Sequence, residues 1–218
     1  MTNPKWEEII LLAPREKVFE GERLTFQGTE TRPEKVSNIM RNIAGTFSSM
    51  RRGNDKDPSP KEINAEINTD FKQPIPYAVI RRGSELFMYE RLSGGGESRL
   101  HNKLSLGAGG HMNPIEDVSF EEVLSINLSR ELEEELDITD KNMKLTPVGL
   151  INDDFEEVSK VHIGILTLID VAVESDVFVR EVDQLAGSWI TLAELQEKSV
   201  YERLETWSQI VVDVLTKQ

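Results

Sequence analysis

Cysteine is absent from the 218 residues of this chain. Its absence excludes disulfide bonds, thiolate metal ligands and a cysteine nucleophile. A chain without cysteine suits a reducing compartment, so we expect a cytoplasmic protein.

Long apolar segments are also lacking. The longest, from Val161 to Val173, is interrupted by His162 and Asp170, and it is shorter than the roughly 20 residues that a membrane-spanning helix needs. The N-terminus has neither the basic region nor the apolar run of a signal peptide. We therefore expect no membrane partner.

Basic residues are few relative to acidic ones. The chain has 25 Lys and Arg against 39 Asp and Glu, a net charge of −14. Because phosphate backbones are bound mainly by Lys and Arg, this balance argues against a nucleic-acid polymer as partner. For a small phosphorylated ligand, a divalent cation held by carboxylates would supply the positive charge.

The first 74 residues read as an N-terminal extension. Their patterns predict a strand at 6–13, a second strand at 17–25 and a helix at 33–50. The segment 51–74 is polar and rich in Asn, Asp, Pro and Lys, which predicts a loop or linker. We expect this extension to pack on the main domain.

Residues 75–218 alternate between strand and helix patterns. Strands at 77–81 and 85–92 should form a hairpin, and the Gly-rich stretch after them predicts a loop. The order of elements suits a mixed sheet packed between helices. The remaining predictions are strands at 103–106, 144–151, 161–173 and 177–182, a helix before residue 138, and helices at 192–197 and 201–215.

The stretch from Leu106 to Ile138 carries the chemistry. Glu131, Glu134 and Glu135 stand at i, i+3 and i+4, so their carboxylates share one face of a helix. Leu124, Leu128, Leu132 and Leu136 recur every four residues and predict the buried stripe of the same helix. An acidic face of this kind is either solvated or occupied by a divalent cation.

Upstream of the acidic face lie Gly109, Gly110 and Glu122, and Arg130 directly precedes Glu131. This arrangement resembles the signature of the Nudix hydrolases: Gly, a spacer, Glu, seven residues, then Arg-Glu-apolar-x-Glu-Glu-x-Gly-apolar. Two features depart from it. Eleven residues instead of five separate Gly110 from Glu122, and Asp137 replaces the last Gly, where it would take the left-handed conformation less comfortably.

The resemblance covers residues 75–217 and implies an α/β/α sandwich with a mixed sheet, to which the N-terminal extension is added. It also implies water attack at phosphorus and cleavage of a diphosphate linkage in a nucleoside diphosphate derivative, with Mg²⁺ or Mn²⁺. By this resemblance the metal ligands are Glu131, Glu134, Glu135 and the carbonyl of Gly109 or Gly110, with Glu122 supporting the site and Arg130 holding a carboxylate in place.

The resemblance leaves the catalytic base open between a motif glutamate, such as Glu134, and a carboxylate on a later loop. Glu181 is the first loop candidate, because it lies eight residues before Trp189. The second group is Asp153, Asp154, Glu156 and Glu157, for which ordinary turn chemistry is an alternative.

Substrate contacts are predicted at Arg91, Gly109 and His111. Arg91 lies where related enzymes place a phosphate-binding arginine, although surface charge is an equal alternative. His111 follows the glycine turn and could donate to phosphate, whereas His101 and His162 have weaker claims.

Two other functions are alternatives to hydrolysis. A non-catalytic Nudix domain would bind a nucleotide-like ligand as a sensor, but such domains usually lose the motif carboxylates that this chain keeps. An isomerase of the isopentenyl diphosphate type depends on a cysteine that this chain lacks. Neither the substrate nor the oligomeric state follows from the sequence, although homodimers are common in the superfamily.

Overall fold

The structure, a computed structural model, describes residues 5–92, 103–140, 142–180, 182 and 185–217. The predicted loop at 93–102 and the candidate base Glu181 lie outside this part of the chain. Helices take up 32% and strands 34% of the fold, so the predicted mixed α/β class is confirmed. None of the described helices is both long enough and apolar enough to cross a membrane.

The strands of the described chain are β1 (Ile9–Pro14), β2 (Gly28–Glu30), β3 (Ser48–Arg51), β4 (Phe71–Arg82), β5 (Glu85–Arg91), β6 (Leu104–Ser105), β7 (Gly107–Ala108), β8 (Leu136–Ile138), β9 (Lys144–Asn152), β10 (His162–Asp170), β11 (Val177–Val179) and β12 (Leu185–Thr191). The strands of the main sheet follow the order β12-β5-β4-β10-β9-β2, in which the predicted hairpin is the antiparallel pair β4 and β5.

Two of the helices, the second and the third along the chain, are longer than the others. The α helices are α1 (Arg15–Val18), α2 (Pro33–Thr46), α3 (Phe120–Glu135), α4 (Leu192–Leu195), α5 (Lys198–Tyr201) and α6 (Thr206–Leu215). Single 3-10 turns lie at Lys5–Glu7, Lys61–Ile63, Ala65–Ile67 and Ser159–Val161.

The chain forms two compact units. Unit 1 comprises Met1–Pro76, Gly110–Leu128 and Gly149–Ile165, and unit 2 comprises Tyr77–Gly109, Ser129–Val148 and Leu166–Gln218. The sequence-based division after residue 74 is a different description, and it stays a prediction.

In unit 1, β1 pairs with β3 on one side and with the start of β4 on the other. Its backbone also reaches the segment after β7, because the Leu11 N–H donates to the Met112 carbonyl at 2.8 Å. Apolar side chains of α2 belong to the hydrophobic core of this unit. The fully buried members of this core include Ala13, Phe19, Ile39, Ile43, Met112, Val123, Leu150 and Ile163.

The strand predicted at 17–25 is wrong. The chain instead forms α1 and then a tight turn, in which Glu20 and Gly21 both have positive φ, 49° and 68°. Val18 and Phe19 are fully buried, so the apolar pattern came from core packing and not from a strand.

The polar segment 51–74 is more regular than the predicted loop. It contains two 3-10 turns and the first residues of β4. Asn64, Asn68 and Gln73 are almost fully buried, and their side-chain amides donate to the backbone carbonyls of Asn54, Lys61 and Ala65 at 2.9, 3.0 and 2.9 Å. Side-chain amides thus satisfy backbone groups that an irregular chain leaves unpaired.

In unit 2, β5 pairs with β12 along its whole length, from Glu85 opposite Thr191 to Arg91 opposite Leu185. Tyr77 packs edge-on against Trp207, with ring centroids 5.4 Å apart, and its hydroxyl lies 3.0 Å from the Ser208 hydroxyl. Thr191 begins α4 with a capping box, which fixes the chain direction after β12.

Candidate functional sites

The first turn of α3 is closed by Ser119 and Glu122. The Glu122 N–H donates to the Ser119 hydroxyl at 3.3 Å, while the Glu122 carboxylate accepts from the Ser119 N–H and hydroxyl, both at 2.9 Å. This is a capping box, with serine before the helix and glutamate three residues on. The same bonds hold the pKa of Glu122 below its usual range. The structure therefore gives Glu122 a local role at the start of the helix.

The last turns of α3 carry the acidic face. Arg130 Nη2 lies 2.7 Å from Glu131 Oε1, and Arg130 Nη1 lies 3.2 Å from Glu134 Oε2. The Glu131 side chain is 11% exposed, whereas that of Glu134 is 59% exposed. Arg130 thus contacts a buried carboxylate and an exposed one at the same time.

The predicted apolar stripe of α3 is present. Leu128 and Leu132 are each 7% exposed, and Leu124 packs partly buried against the core of unit 1. Leu136, which is 2% exposed, continues the stripe as the first residue of β8. The stripe fixes the rotation of the helix, and so fixes where its carboxylates lie.

The donor set at the end of α3 suits a hard divalent cation, since it offers several carboxylate oxygens. In the described part of the chain, however, Glu131, Glu134 and Glu135 do not form a group whose ligand atoms all lie within 4.8 Å of one another. The carboxylate oxygens are donors that fit Mg²⁺ or Mn²⁺. The contacts with Arg130, and not a shared ligand position, set the present conformations of Glu131 and Glu134.

Other predicted site residues are placed as follows. Gly109 and Gly110 follow β7 directly and are partly exposed, and Arg91 is the last residue of β5. Glu181 lies outside the described residues.

Two of the four residues in the second group of base candidates, Asp153 and Asp154, are bonded to other side chains of unit 1. Asp154 forms a two-bonded ion pair with Arg15, both contacts at 3.0 Å, and accepts from Lys72 Nζ at 2.8 Å. Burial lowers the pKa of Lys72 to about 8, although Asp154 opposes this shift. Burial would raise the pKa of Asp154, but its bonds to Lys72 and Arg15 lower it. Asp153 accepts from Gln27 Nε2 at 2.6 Å, and Glu156 and Glu157 are exposed.

A second cluster lies wholly in unit 1, where Glu66, His111 and His162 converge. His111 Nε2 lies 3.3 Å from His162 Nε2 and 3.4 Å from Glu66 Oε1. The two imidazole rings meet edge to face, with centroids 5.3 Å apart. Burial lowers the pKa of His162, which favours a neutral ring.

Separate elements hold the three side chains. Glu66 lies in the 3-10 turn Ala65–Ile67 and accepts from Arg52 Nε at 2.8 Å. His111 precedes Met112, whose carbonyl is bonded to β1. His162 begins β10, and its Nδ1 lies 2.7 Å from the Val158 carbonyl.

The sequence predicts His111 as a substrate contact, makes only a weak case for His162 and predicts no role for Glu66. A signal was present in the small number of histidines, three in the chain, two of which meet here. The structure brings His111 together with Glu66 and His162, which sequence spacing could not show.

Known proteins resemble this chain along most of its length. It is 52% identical to Protein YmaB of Bacillus subtilis (strain 168) over 213 residues, which cover 97% of this chain and 98% of that protein. The structure of Tm1382, described as a candidate Nudix hydrolase, matches 96% of this chain and 99% of its own with 29% identity and a TM-score of 0.73. The chain belongs to the Nudix superfamily, in the same family as Protein YmaB.

More distant Nudix structures match a smaller part. The MutT Nudix hydrolase from Burkholderia pseudomallei covers 65% of this chain at 19% identity, with a TM-score of 0.45. No family model matches the chain.

Asp137, which replaces the last glycine of the Nudix signature, does not adopt the left-handed conformation expected for that position. Asp137 is not in the left-handed region, since Glu20 and Asp117 are the non-glycine residues of positive φ in the described chain. The helix ends at Glu135, and Asp137 lies in β8, opposite Phe178 of β11. Because the chain leaves the helix directly into an extended strand, the position does not need glycine.

The other departure from the Nudix signature is the spacer of eleven residues between Gly110 and Glu122. This spacer is packed and hydrogen-bonded within unit 1. Met112 and Phe120 are buried in its core. The Asn113 N–H donates to Asn127 Oδ1 at 2.9 Å, and the Asn113 amide donates to the Ile9 carbonyl at 3.0 Å. The extra residues therefore hold His111 in a defined position.

Proposed function

We propose that this Nudix protein is a metal-dependent hydrolase that cleaves a diphosphate linkage in a nucleoside diphosphate derivative by water attack at phosphorus. The observation that carries the proposal is the arrangement at the end of α3, where Arg130 contacts Glu131 at 2.7 Å and Glu134 at 3.2 Å. These are the arginine and two of the carboxylates of the signature, and the likeness to Tm1382 extends over 96% of the chain.

In this proposal, Glu131, Glu134 and Glu135 hold Mg²⁺ or Mn²⁺. The bound cation would neutralise the charge that develops on the phosphoryl oxygens. Arg130 keeps the buried Glu131 oriented and limits the movement of Glu134. The exposed Glu134 can turn toward solvent, which suits it to position or deprotonate the attacking water.

The net charge of −14 supports a small substrate over a nucleic-acid polymer. An acidic surface repels a long polyanion, whereas one diphosphate group needs only the local positive charge of the bound cation and nearby basic side chains.

The test is a screen of nucleoside diphosphate derivatives for release of phosphate or nucleoside monophosphate. Purified wild-type protein is assayed with Mg²⁺, with Mn²⁺ and with a chelator. Turnover of at least one compound that requires the metal supports the proposal. A folded protein that turns over none of them, but binds one tightly, would contradict it in favour of a binding role.

A further inference from the structure

The cluster of Glu66, His111 and His162 has the composition of a transition-metal site. Two imidazole nitrogens and one carboxylate oxygen lie within 4.8 Å of one another. We propose that these side chains bind one divalent transition-metal ion of the Zn²⁺ class, at a site separate in residues and in chemistry from the carboxylates of α3.

The distances agree with coordination geometry. Two ligand atoms that each lie about 2.0–2.1 Å from a tetrahedral ion are about 3.3–3.4 Å from one another. His111 Nε2 is 3.3 Å from His162 Nε2 and 3.4 Å from Glu66 Oε1. Two of the three separations in the cluster therefore already have the tetrahedral length, and the third pair, His162 and Glu66, lies within 4.8 Å. The fourth corner would hold water or an incoming ligand.

The contacts behind the ligands have the pattern of a metal site. A carbonyl only accepts, so the Val158 carbonyl, 2.7 Å from His162 Nδ1, requires the proton on that nitrogen. The His162 Nε2 lone pair then faces His111 and Glu66. Arg52 Nε donates to Glu66 Oε1 at 2.8 Å and fixes the carboxylate. Hydrogen bonds of this kind orient metal-binding histidines and carboxylates.

The ligand types set the choice of metal. Imidazole suits Zn²⁺, Co²⁺, Ni²⁺ and Fe²⁺, whereas Mg²⁺ takes oxygen ligands almost exclusively. The side chains of Glu66 and His111 are 17% and 12% exposed, so an ion can enter and one coordination position can face solvent. The ion would join three segments that are far apart in sequence, and its binding should raise the melting temperature of the protein.

The experiment uses full-length protein freed of metal by a chelator and then titrated with Co²⁺, whose visible absorption reports tetrahedral coordination. Zn²⁺ is measured by competition. We expect one tetrahedral Co²⁺ per chain, displacement of this ion by Zn²⁺ and no displacement by millimolar Mg²⁺. Wild-type protein that stays folded and takes up no stoichiometric Co²⁺ or Zn²⁺ overturns the proposal.

Variants locate the ion. Glu66→Gln should weaken Co²⁺ binding at least about tenfold, and His111→Gln and His162→Gln should weaken it further. The matched control is Glu62→Gln, which changes an exposed carboxylate in the preceding 3-10 turn. Glu134→Gln serves as a second control and should leave the visible absorption of tetrahedral Co²⁺ unchanged, because that signal comes from the histidine site. If His162→Gln does not fold, Glu66→Gln and His111→Gln decide, and Co²⁺ affinity unchanged in both overturns the site.

Discussion

The Glu122 carboxylate accepts hydrogen bonds from the backbone N–H and the hydroxyl of Ser119, both at 2.9 Å. Glutamate and glutamine both serve at this position of a capping box. A capping role therefore tolerates Glu122→Gln, whereas a role in metal binding requires the negative charge.

We expect Glu122→Gln to unfold at a urea concentration close to that of the wild type and to keep nearly all of its turnover. Ser119→Ala should destabilise the protein by about 1 kcal/mol, because the N–H of Glu122 loses its acceptor. Urea unfolding and the hydrolysis assay measure these values. A folded Glu122→Gln protein with turnover reduced a hundredfold would place this carboxylate at the metal instead.

Arg130 is predicted to act through the carboxylates that it contacts. Arg130→Lys keeps the charge but loses the fork that reaches Glu131 and Glu134 together. We expect Mn²⁺ affinity and kcat to fall by about 10–100-fold with little change in KM. The control is Arg41→Lys, which changes an exposed arginine of α2. A raised KM with normal Mn²⁺ affinity would show that Arg130 contacts the substrate.

Glu30 gives a dependence of stability on pH. Its side chain is 5% exposed and accepts from Arg32 Nη2 at 2.5 Å, with Lys35 Nζ at 3.2 Å. The hydrogen bonds from Arg32 lower the pKa of Glu30 to about 2.

Because the folded-state pKa of Glu30 lies below its unfolded value of 4.5, its contribution is complete above pH 4.5 and is lost as the pH falls toward 2. Glu30→Gln should be less stable than wild type at pH 7, and the difference should shrink between pH 4.5 and 2. A difference that stays constant across this range would contradict the assigned contacts.

Gly107 is required by a close approach. A Cβ added there would lie 1.9 Å from Tyr77 Cζ and would overlap the tyrosine ring. The ring is buried, and its hydroxyl contacts Ser208. Gly107→Ala should cost at least about 1–3 kcal/mol. Gly45, in α2, has no atom within 4 Å of an added Cβ, so Gly45→Ala should stabilise by up to about 1 kcal/mol. Equal effects of the two variants on the melting temperature would refute the predicted clash.

Much of the fold could be predicted where local pattern and packing agree. The leucine repeat of α3 gave both the helix and its buried face. The hairpin of β4 and β5 followed from alternating apolar residues around Gly83, whose positive φ of 58° suits the turn. At residues 17–25 the apolar pattern misled, because α1 is four residues long and too short to show a helical period.

The sequence predicts the residues of one site together but not those of the other. The residues at the end of α3 are close together in sequence, so helix geometry and the Nudix signature placed them on one face. Glu66, His111 and His162 lie in three separate segments, and only the folding of unit 1 brings them together. Spacing along the chain cannot predict a contact between such distant segments. In addition, the polar composition of the segment that contains Glu66 predicted a loop.

The measurement that tests the hydrolase most directly compares Glu134→Gln with Glu133→Gln on the best substrate of the screen. Both carboxylates are exposed on α3, but Glu134 alone of the two occupies a metal position of the signature. With saturating Mn²⁺, kcat should fall at least about a hundredfold in Glu134→Gln and stay within about twofold of wild type in Glu133→Gln. Equal kcat values for the two folded variants would contradict the proposal that the carboxylates of α3 carry the reaction.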